Sequence, residues 1–147
     1  MNKIYLHSAD KIANIKHKTL VKALIVELFK EEGTALEQLS YIFCSDTYLL
    51  QINQQFLNHN TLTDVITFSF SGKGRPVYGE VYLSVDRIKE NAKTFEVEYQ
   101  NELLRVMIHG ALHLCGYADK TKLQKAQMRE KEDYYLKQFN VSREANP

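Results

Sequence analysis

The spacing of apolar residues changes several times along this chain, and this alternation restricts its fold more than any other feature. Between residues 16 and 29, the apolar positions Leu20, Val21, Leu24, Ile25 and Leu28 recur at the intervals of an amphipathic helix. Between residues 64 and 70, β-branched and aromatic residues predominate, which is typical of a strand. A chain that alternates these patterns must pack helices against a sheet.

The same reasoning predicts a complete order of elements. Strands are predicted at residues 4–7, 39–44, 64–70 and 80–85. Helices are predicted at 16–29, from caps at Ser45 or Asp46 through Phe56, from a cap at Asp86 through Phe95, at 99–115, and at 123–139. Two of the four strands are adjacent in sequence. We therefore predict an α+β fold: a single domain with a small mixed four-stranded sheet packed with about five helices.

Length and composition agree with one domain and exclude several classes of protein. The 147 residues contain no repeat or linker, so the domain is expected to span residues 1–147. Two cysteines give no disulfide framework, and no apolar run is long enough for a membrane span or a secretory signal. A cytoplasmic protein without a membrane partner is the simplest expectation. The net charge of +1 leaves RNA binding open.

The segment from His109 to Asp119 carries the most informative functional pattern. Positions i and i+4 of a helix differ in direction by about 40°, so His109 and His113 emerge from one face. Gly116 is suited to end the helix in the left-handed conformation, and Asp119 follows within reach of the same ion. Three protein ligands and one open position are what a catalytic zinc site needs. We predict that these three residues bind one Zn²⁺ ion per chain.

Other roles for these residues are compatible with the sequence alone. Either histidine could be a core residue hydrogen-bonded to the backbone, and Asp119 could be a turn residue or a helix cap. Cys115 is predicted not to be a ligand, because it is two residues beyond His113 and on the opposite side of the helix. Gly110 occupies the position where zinc proteases of the His-Glu-x-x-His type carry their general base, so peptide hydrolysis by that mechanism is disfavoured.

Three segments of the chain form a distinctive set, which comprises His109 to Tyr117, Thr63 to Phe68 and Gly79 to Ser84. In that order, they resemble the metal motif, the central strand and the strand that follows it in the YbeY endoribonucleases, a family of bacterial factors in ribosomal RNA maturation. The order of elements is similar over roughly the whole chain. The resemblance implies a metal-dependent, single-strand-specific endoribonuclease that acts in ribosomal RNA processing and ribosome quality control.

Two positions depart from the family's pattern. The family's third ligand is usually a histidine, whereas this chain has Asp119, and the negative charge of a carboxylate should make a zinc-bound water less acidic. The family commonly has an arginine at the position of Leu57, and an arginine is a natural partner for a scissile phosphate. His59, Lys73 and Arg75 are the candidates to replace it.

The remaining predictions concern charged residues near the motif. Asp64 and Glu80 are candidates to orient a ligating histidine or to transfer a proton, because such histidines usually donate their second ring proton to a carboxylate or carbonyl. The alternatives are a turn residue for Asp64 and a solvated strand charge for Glu80. RNA is expected to contact the loop at 71–76 and the basic stretch after the metal motif. The candidate RNA-binding residues are His59, Lys73, Arg75, Lys120 and Lys122.

Two other functions are compatible with the same residues. The departures from the family's pattern at Leu57 and Asp119 are compatible with a ribosome-associated binding factor whose metal site is structural or vestigial. A metal-dependent hydrolase of another substrate, such as an amide, would use the same three ligands. Cleavage assays with RNA and peptide side by side distinguish these alternatives.

Overall fold

The computed structural model describes residues 3–58 and 63–145. In chain order, the elements are β1 (Ile4–Ser8), α1 (Lys18–Glu31), β2 (Leu36–Cys44), α2 (Asp46–Leu57), β3 (Val65–Ser69), β4 (Val77–Ser84), α3 (Val85–Thr94), α4 (Tyr99–Leu114) and α5 (Lys122–Ala145). Within these residues, no helix combines the length and the apolar character that crossing a membrane would need.

The four strands form one mixed sheet in the order β1-β2-β4-β3. β1 and β4 run parallel to β2, whereas β3 is antiparallel to β4. β1 and β2 are connected through α1, because two parallel neighbours need a crossover, and β3 and β4 are joined by a short loop. The prediction of an α+β fold with a four-stranded mixed sheet and five helices is confirmed for the described residues.

Helix α4 lies directly on the sheet. A Cβ atom at Gly110 would be only 2.7 Å from Val81 Cγ1, so a residue without a side chain is needed where α4 crosses β4. α1 and α5 pack against α4, and α2 covers a smaller apolar cluster on the opposite face of the sheet. The fully buried residues of α4 are Met107, Ile108, Ala111 and Leu112. This packing fixes the orientation of the helix that carries both histidines.

The start of α3 differs from the sequence prediction. The prediction that Asp86 caps this helix is wrong, because Ser84 is the cap and its Oγ accepts a hydrogen bond from the Arg87 backbone N–H at 3.0 Å. Asp86 instead accepts a hydrogen bond from the Asp46 backbone N–H at the start of α2. The sequence prediction did not consider Ser84, and the contact between Asp86 and the start of α2 is a tertiary one that a local pattern does not show.

Two strands also begin earlier than predicted. β2 begins at Leu36 and β4 at Val77, and these two residues pair with each other across the sheet. Long-range pairing therefore extends both strands beyond the segments that their own composition indicates. α5 is longer as well, and continues to Ala145.

Candidate metal centre

The two predicted histidine ligands emerge from the same face of α4, near its C-terminal end. Their Nε2 atoms are 3.0 Å apart. Just after α4, Gly116 adopts a positive φ of 104°, which turns the chain back. This turn brings Asp119 Oδ2 to 3.2 Å from His109 Nε2 and 3.6 Å from His113 Nε2. Three atoms of the type that bind metals therefore meet at one point.

The spacing of these three atoms fits a tetrahedral ion. Zinc bonds of about 2.0 to 2.1 Å place ligand atoms about 3.3 to 3.4 Å apart, and the observed separations of 3.0, 3.2 and 3.6 Å bracket that distance. In the described part of the chain, this is the one group of three or more histidine, cysteine or acidic residues arranged to hold a metal ion. Cys115 is not part of this group.

Hydrogen bonds of the two rings determine which nitrogen of each histidine is free to bind a cation. His113 Nδ1 is 2.8 Å from the Tyr117 carbonyl oxygen, which can only accept, so this nitrogen carries the proton. His109 Nδ1 carries its proton for the same reason, because it is 2.7 Å from Glu132 Oε2. In the neutral rings, both Nε2 lone pairs therefore point towards each other and towards the Asp119 carboxylate. Such an arrangement is repulsive unless a cation lies between the groups, which favours ligation over a purely structural role.

The sequence prediction missed Glu132, the carboxylate that orients His109. Glu132 lies on α5 and is buried. Its second oxygen accepts a hydrogen bond from Arg105 Nη1 at 3.0 Å, and Arg105 Nη2 also donates to Asp133 Oδ1 at 2.7 Å. A signal for this role is present in the sequence: Glu132 occupies a position in the apolar stripe of α5, whose buried members are Met128, Tyr135, Leu136 and Phe139. A charged residue on such a stripe needs a buried partner.

A second set of long-range contacts holds His113. The carbonyl that fixes its ring belongs to Tyr117, and the Tyr117 hydroxyl donates to Glu32 Oε1 at 2.7 Å. Glu32, at the C-terminal end of α1, also accepts from the Tyr135 hydroxyl and pairs with Lys131 at 3.2 Å. His109 is therefore oriented directly by a residue distant in sequence, whereas His113 is oriented by nearby Tyr117, whose hydroxyl bonds to distant Glu32.

The pKa of His109 is raised above its ordinary value. Burial alone would lower this pKa, but the hydrogen bond and the negative charge of Glu132 favour the protonated ring, with smaller contributions from Asp119 and Asp64. A metal ion must replace a proton at His109 when it binds. Metal binding should therefore weaken as the pH falls through this raised pKa.

Asp64 lies immediately before β3 and close to the histidines. Its side chain is half-buried and 3.4 Å from Asn91 Nδ2, and its carbonyl accepts a hydrogen bond from the Ser84 backbone N–H. Burial raises the pKa of the Asp64 carboxyl, and the nearby His109 opposes that rise. The Nδ1 atoms of both histidines bond to Glu132 and to the Tyr117 carbonyl, so Asp64 does not orient either ring through that nitrogen.

The structure does not bring Glu80 to this site. Glu80 lies between Gly79 and Val81 on β4. A Cβ atom on Gly79 would touch Leu114 of α4, and Val81 lies against Gly110 of the same helix, so both neighbours of Glu80 face α4. Because side chains alternate along a strand, Glu80 is on the opposite face of the sheet. There it accepts a hydrogen bond from the Tyr82 hydroxyl at 2.9 Å.

Two depressions meet at the histidines. The first, which we call the β3 cleft, is lined by β3, the end of α2 and Lys120. The second, which we call the α5 groove, lies between α3, α4 and α5. His109, Asp119 and Asp64 line both. Leu57, at the position of the family's arginine, lines the β3 cleft with an exposed apolar side chain.

The predicted RNA-binding cations are distributed unequally around these depressions. Lys120 lines the β3 cleft, whereas Lys122 is exposed at the start of α5 and lines neither depression. Lys73 is exposed on the loop between β3 and β4, and Arg75 lines a separate hollow with Phe70 and Tyr78. His59 lies outside the described residues.

Gly110 shows why α4 has no general base beside its first histidine. Its missing side chain would project onto Val81 of β4, where there is no space even for a Cβ atom. A glutamate at this position would therefore disrupt the contact between α4 and the sheet. The site can use the His-x-x-x-His ligand pair but not the proton transfer of a His-Glu-x-x-His protease.

Comparisons with known proteins identify the family of this chain. The family model described as Endoribonuclease YbeY matches residues 3–140. A relative named Endoribonuclease YbeY from Flavobacterium psychrophilum is 51% identical over 121 residues, 82% of this chain and 83% of the relative. Another of that name, from Amoebophilus asiaticus, is 40% identical over 133 residues, 90% of each chain. The solution structure of a Thermotoga maritima protein is 30% identical with a TM-score of 0.67, covering 98% of this chain and 93% of its own. The chain belongs to the YbeY endoribonuclease family.

Proposed function

We propose that this protein is a zinc-dependent, single-strand-specific endoribonuclease that processes ribosomal RNA and acts in ribosome quality control in the cytoplasm. The observation that carries the proposal is the convergence of His109 Nε2, His113 Nε2 and Asp119 Oδ2 at tetrahedral spacing in an open cleft. Membership of an endoribonuclease family supports RNA as the substrate. The hydrogen bonds that His109 donates to Glu132 and that His113 donates to the Tyr117 carbonyl support a metal role for both histidines.

The residues around the cleft have separate roles in the proposed reaction. A divalent ion bound by the three ligands would polarise a phosphoryl oxygen and make a water molecule more acidic. Lys120 lines the β3 cleft and would hold a phosphate. Asp64 would accept the proton of the attacking water, because burial raises its pKa towards the working range of a general base. Glu132 would keep the His109 ring in the ligating tautomer.

Cleavage assays on purified protein test this proposal directly. The protein is stripped of metal, reloaded with Zn²⁺ to a measured stoichiometry, and mixed with single-stranded RNA, duplex RNA or peptide. We expect cleavage within single-stranded RNA, no cleavage of peptide, and loss of activity after metal removal. His113→Ala prepared in parallel controls for contaminating nucleases. A fully loaded protein that leaves single-stranded RNA intact, or that cuts peptide, contradicts the proposal.

The exposed Leu57 side chain in the β3 cleft favours a second candidate function. Without a cation at that position, the cleft could bind RNA on the ribosome without cutting it. In that case Asp64→Asn would leave binding to ribosomal subunits and their RNA processing unchanged. Under the endoribonuclease proposal, Asp64→Asn lowers cleavage while metal stoichiometry stays at one.

A further inference from the structure

We propose that the α5 groove binds the RNA strand on one side of the scissile phosphate, with Lys125 and Arg129 contacting backbone phosphates and Phe95 stacking on a base. This inference rests on the proposed endoribonuclease function and extends it. It assigns a binding role to three residues that the metal motif does not include.

The position of the groove relative to the metal centre is the first argument. His109, Asp119 and Asp64 line both the α5 groove and the β3 cleft, so the two depressions are continuous at the metal centre. An enzyme that cuts within a strand must accommodate nucleotides on both sides of the reacting phosphate. The β3 cleft can hold the RNA on one side of the reacting phosphate, and the α5 groove also reaches the metal centre and can hold it on the other side.

Charge is the second argument. Lys125 and Arg129 are exposed on α5, four residues apart, so they lie on the same side of the helix. Neither forms an ion pair with any of residues 3–58 and 63–145. In contrast, Arg105 in the same groove is held by Glu132 and Asp133. Two unpaired cations on one helix face can contact successive phosphates of a strand.

The acidic groups of the groove do not cancel this charge. Asp119 and Glu132 are both engaged with His109, and Glu132 also with Arg105. The other two carboxyls are Asp64 and Glu102, and Glu102 is buried in α4 at 5% exposure, whereas Lys125 and Arg129 are exposed.

Phe95 supplies a surface for a base. It follows α3 directly, lines the groove, and is 58% exposed. It has no ring partner among the described aromatic residues. Proteins that bind single strands combine cations along the backbone with exposed aromatic rings that stack on bases. The groove has both features within reach of the metal centre.

A pair of double variants of α5 tests the phosphate contacts. Lys125→Gln with Arg129→Gln removes the groove cations, and Lys137→Gln with Arg143→Gln removes the same charge from exposed positions of α5 that do not line the groove. Binding of a fluorescent single-stranded oligoribonucleotide is measured over a range of salt concentrations. We expect the groove variant to bind more weakly and to lower the slope of log affinity against log salt by about 1.4, or 0.7 per contact. Equal slopes in both variants overturn the inference.

A matched pair of phenylalanine variants tests the stacking contact. Phe95 and Phe56 are similarly exposed, at 58% and 60%, but Phe56 lines neither depression. Phe95→Leu should weaken RNA binding by roughly 5-fold to 150-fold, because base stacking on an aromatic ring is worth about 1–3 kcal/mol. Phe56→Leu should bind like the parent. Similar affinities for the two variants contradict the assignment of Phe95.

Substrates of different length separate this inference from the proposed function. The parent and the groove variant are each assayed with single-stranded RNAs that extend from a fixed cleavage position on one side only. The defect of the groove variant should appear with extensions on one side and disappear with extensions on the other. A defect that is equal on both sides overturns the inference and leaves cleavage itself intact. Parent protein that binds RNA through Lys125 and Arg129 but never cuts it refutes the endoribonuclease proposal and retains the groove.

Discussion

Replacing Glu132 with glutamine should weaken metal binding, although Glu132 is not itself one of the three predicted ligands. Both carboxylate oxygens of Glu132 accept hydrogen bonds, one from His109 Nδ1 at 2.7 Å and one from Arg105 Nη1 at 3.0 Å. An amide has a single oxygen acceptor, so glutamine can satisfy only one of these donors. If its oxygen stays with Arg105, its NH₂ group faces His109 Nδ1 and favours the tautomer that carries the proton on Nε2. That tautomer cannot ligate.

The expected loss is a factor of about 10 to 100 in metal affinity, or about 1.4 to 2.7 kcal/mol, as for other partners of ligating histidines. The loss should also depend on pH. Glu132 raises the pKa of His109, so protons compete with metal more strongly in the parent than in the variant as the pH falls. The difference in affinity should therefore be largest above the raised pKa of His109 and should shrink in acid.

Competition with a chromophoric zinc chelator, at several pH values, measures this difference on folded protein. Asp133→Asn is the matched control, because Asp133 is the next residue and binds the same Arg105, but its side chain is 58% exposed and it does not touch a histidine. It should change zinc affinity by less than about twofold, as expected for an exposed ion pair. A folded Glu132→Gln protein that binds zinc as tightly as the parent at neutral pH would refute the orienting role.

The remaining predictions concern the ligands, the packing of α4 and the RNA-binding cations. His113→Ala should lose the metal ion, because two protein ligands are too few to hold it; full stoichiometry by elemental analysis would contradict the site. Asp119→His should keep metal binding and Asp119→Ala should weaken it strongly, whereas an alanine variant within twofold of the parent would show that Asp119 is no ligand. Gly110→Ala should lower the free energy of unfolding by about 1 to 3 kcal/mol in urea titrations, since its Cβ would meet Val81 at 2.7 Å; unchanged stability would mean that the helix can shift away. RNA binding should weaken, with a smaller salt slope and the metal retained, when charge is removed together at Lys73, Arg75, Lys120 and Lys122.

The histidine pair and its third partner could be predicted because their geometry is mostly local. The four-residue spacing determines the common direction of both rings, and one glycine determines the turn that returns Asp119. Local patterns also predicted the number and type of the elements. Local patterns could not predict where β2 and β4 begin, because Leu36 and Val77 become strand residues only by pairing with each other in the sheet.

The residues that hold the site in place were harder to predict because they come from other elements. Glu132 is on α5 and Glu32 on α1, and only tertiary packing shows that they support His109 and Tyr117. The position of Glu80 could have been predicted from the alternation of side chains along a strand. Gly79 and Val81 had to face the helix that packs on β4, which directs Glu80 away from the metal centre.

The contact between Gly110 and Val81 also determines where a proton acceptor can be. α4 packs so closely on β4 that the residue after the first histidine cannot have a side chain, so this helix supplies ligands only. An acceptor must then come from another element that reaches the histidines. Asp64 meets this requirement because it lies immediately before the edge strand β3 and lines both the β3 cleft and the α5 groove. We infer that the absence of a glutamate after His109 and the proposed role of Asp64 as proton acceptor are two consequences of the same helix–sheet contact.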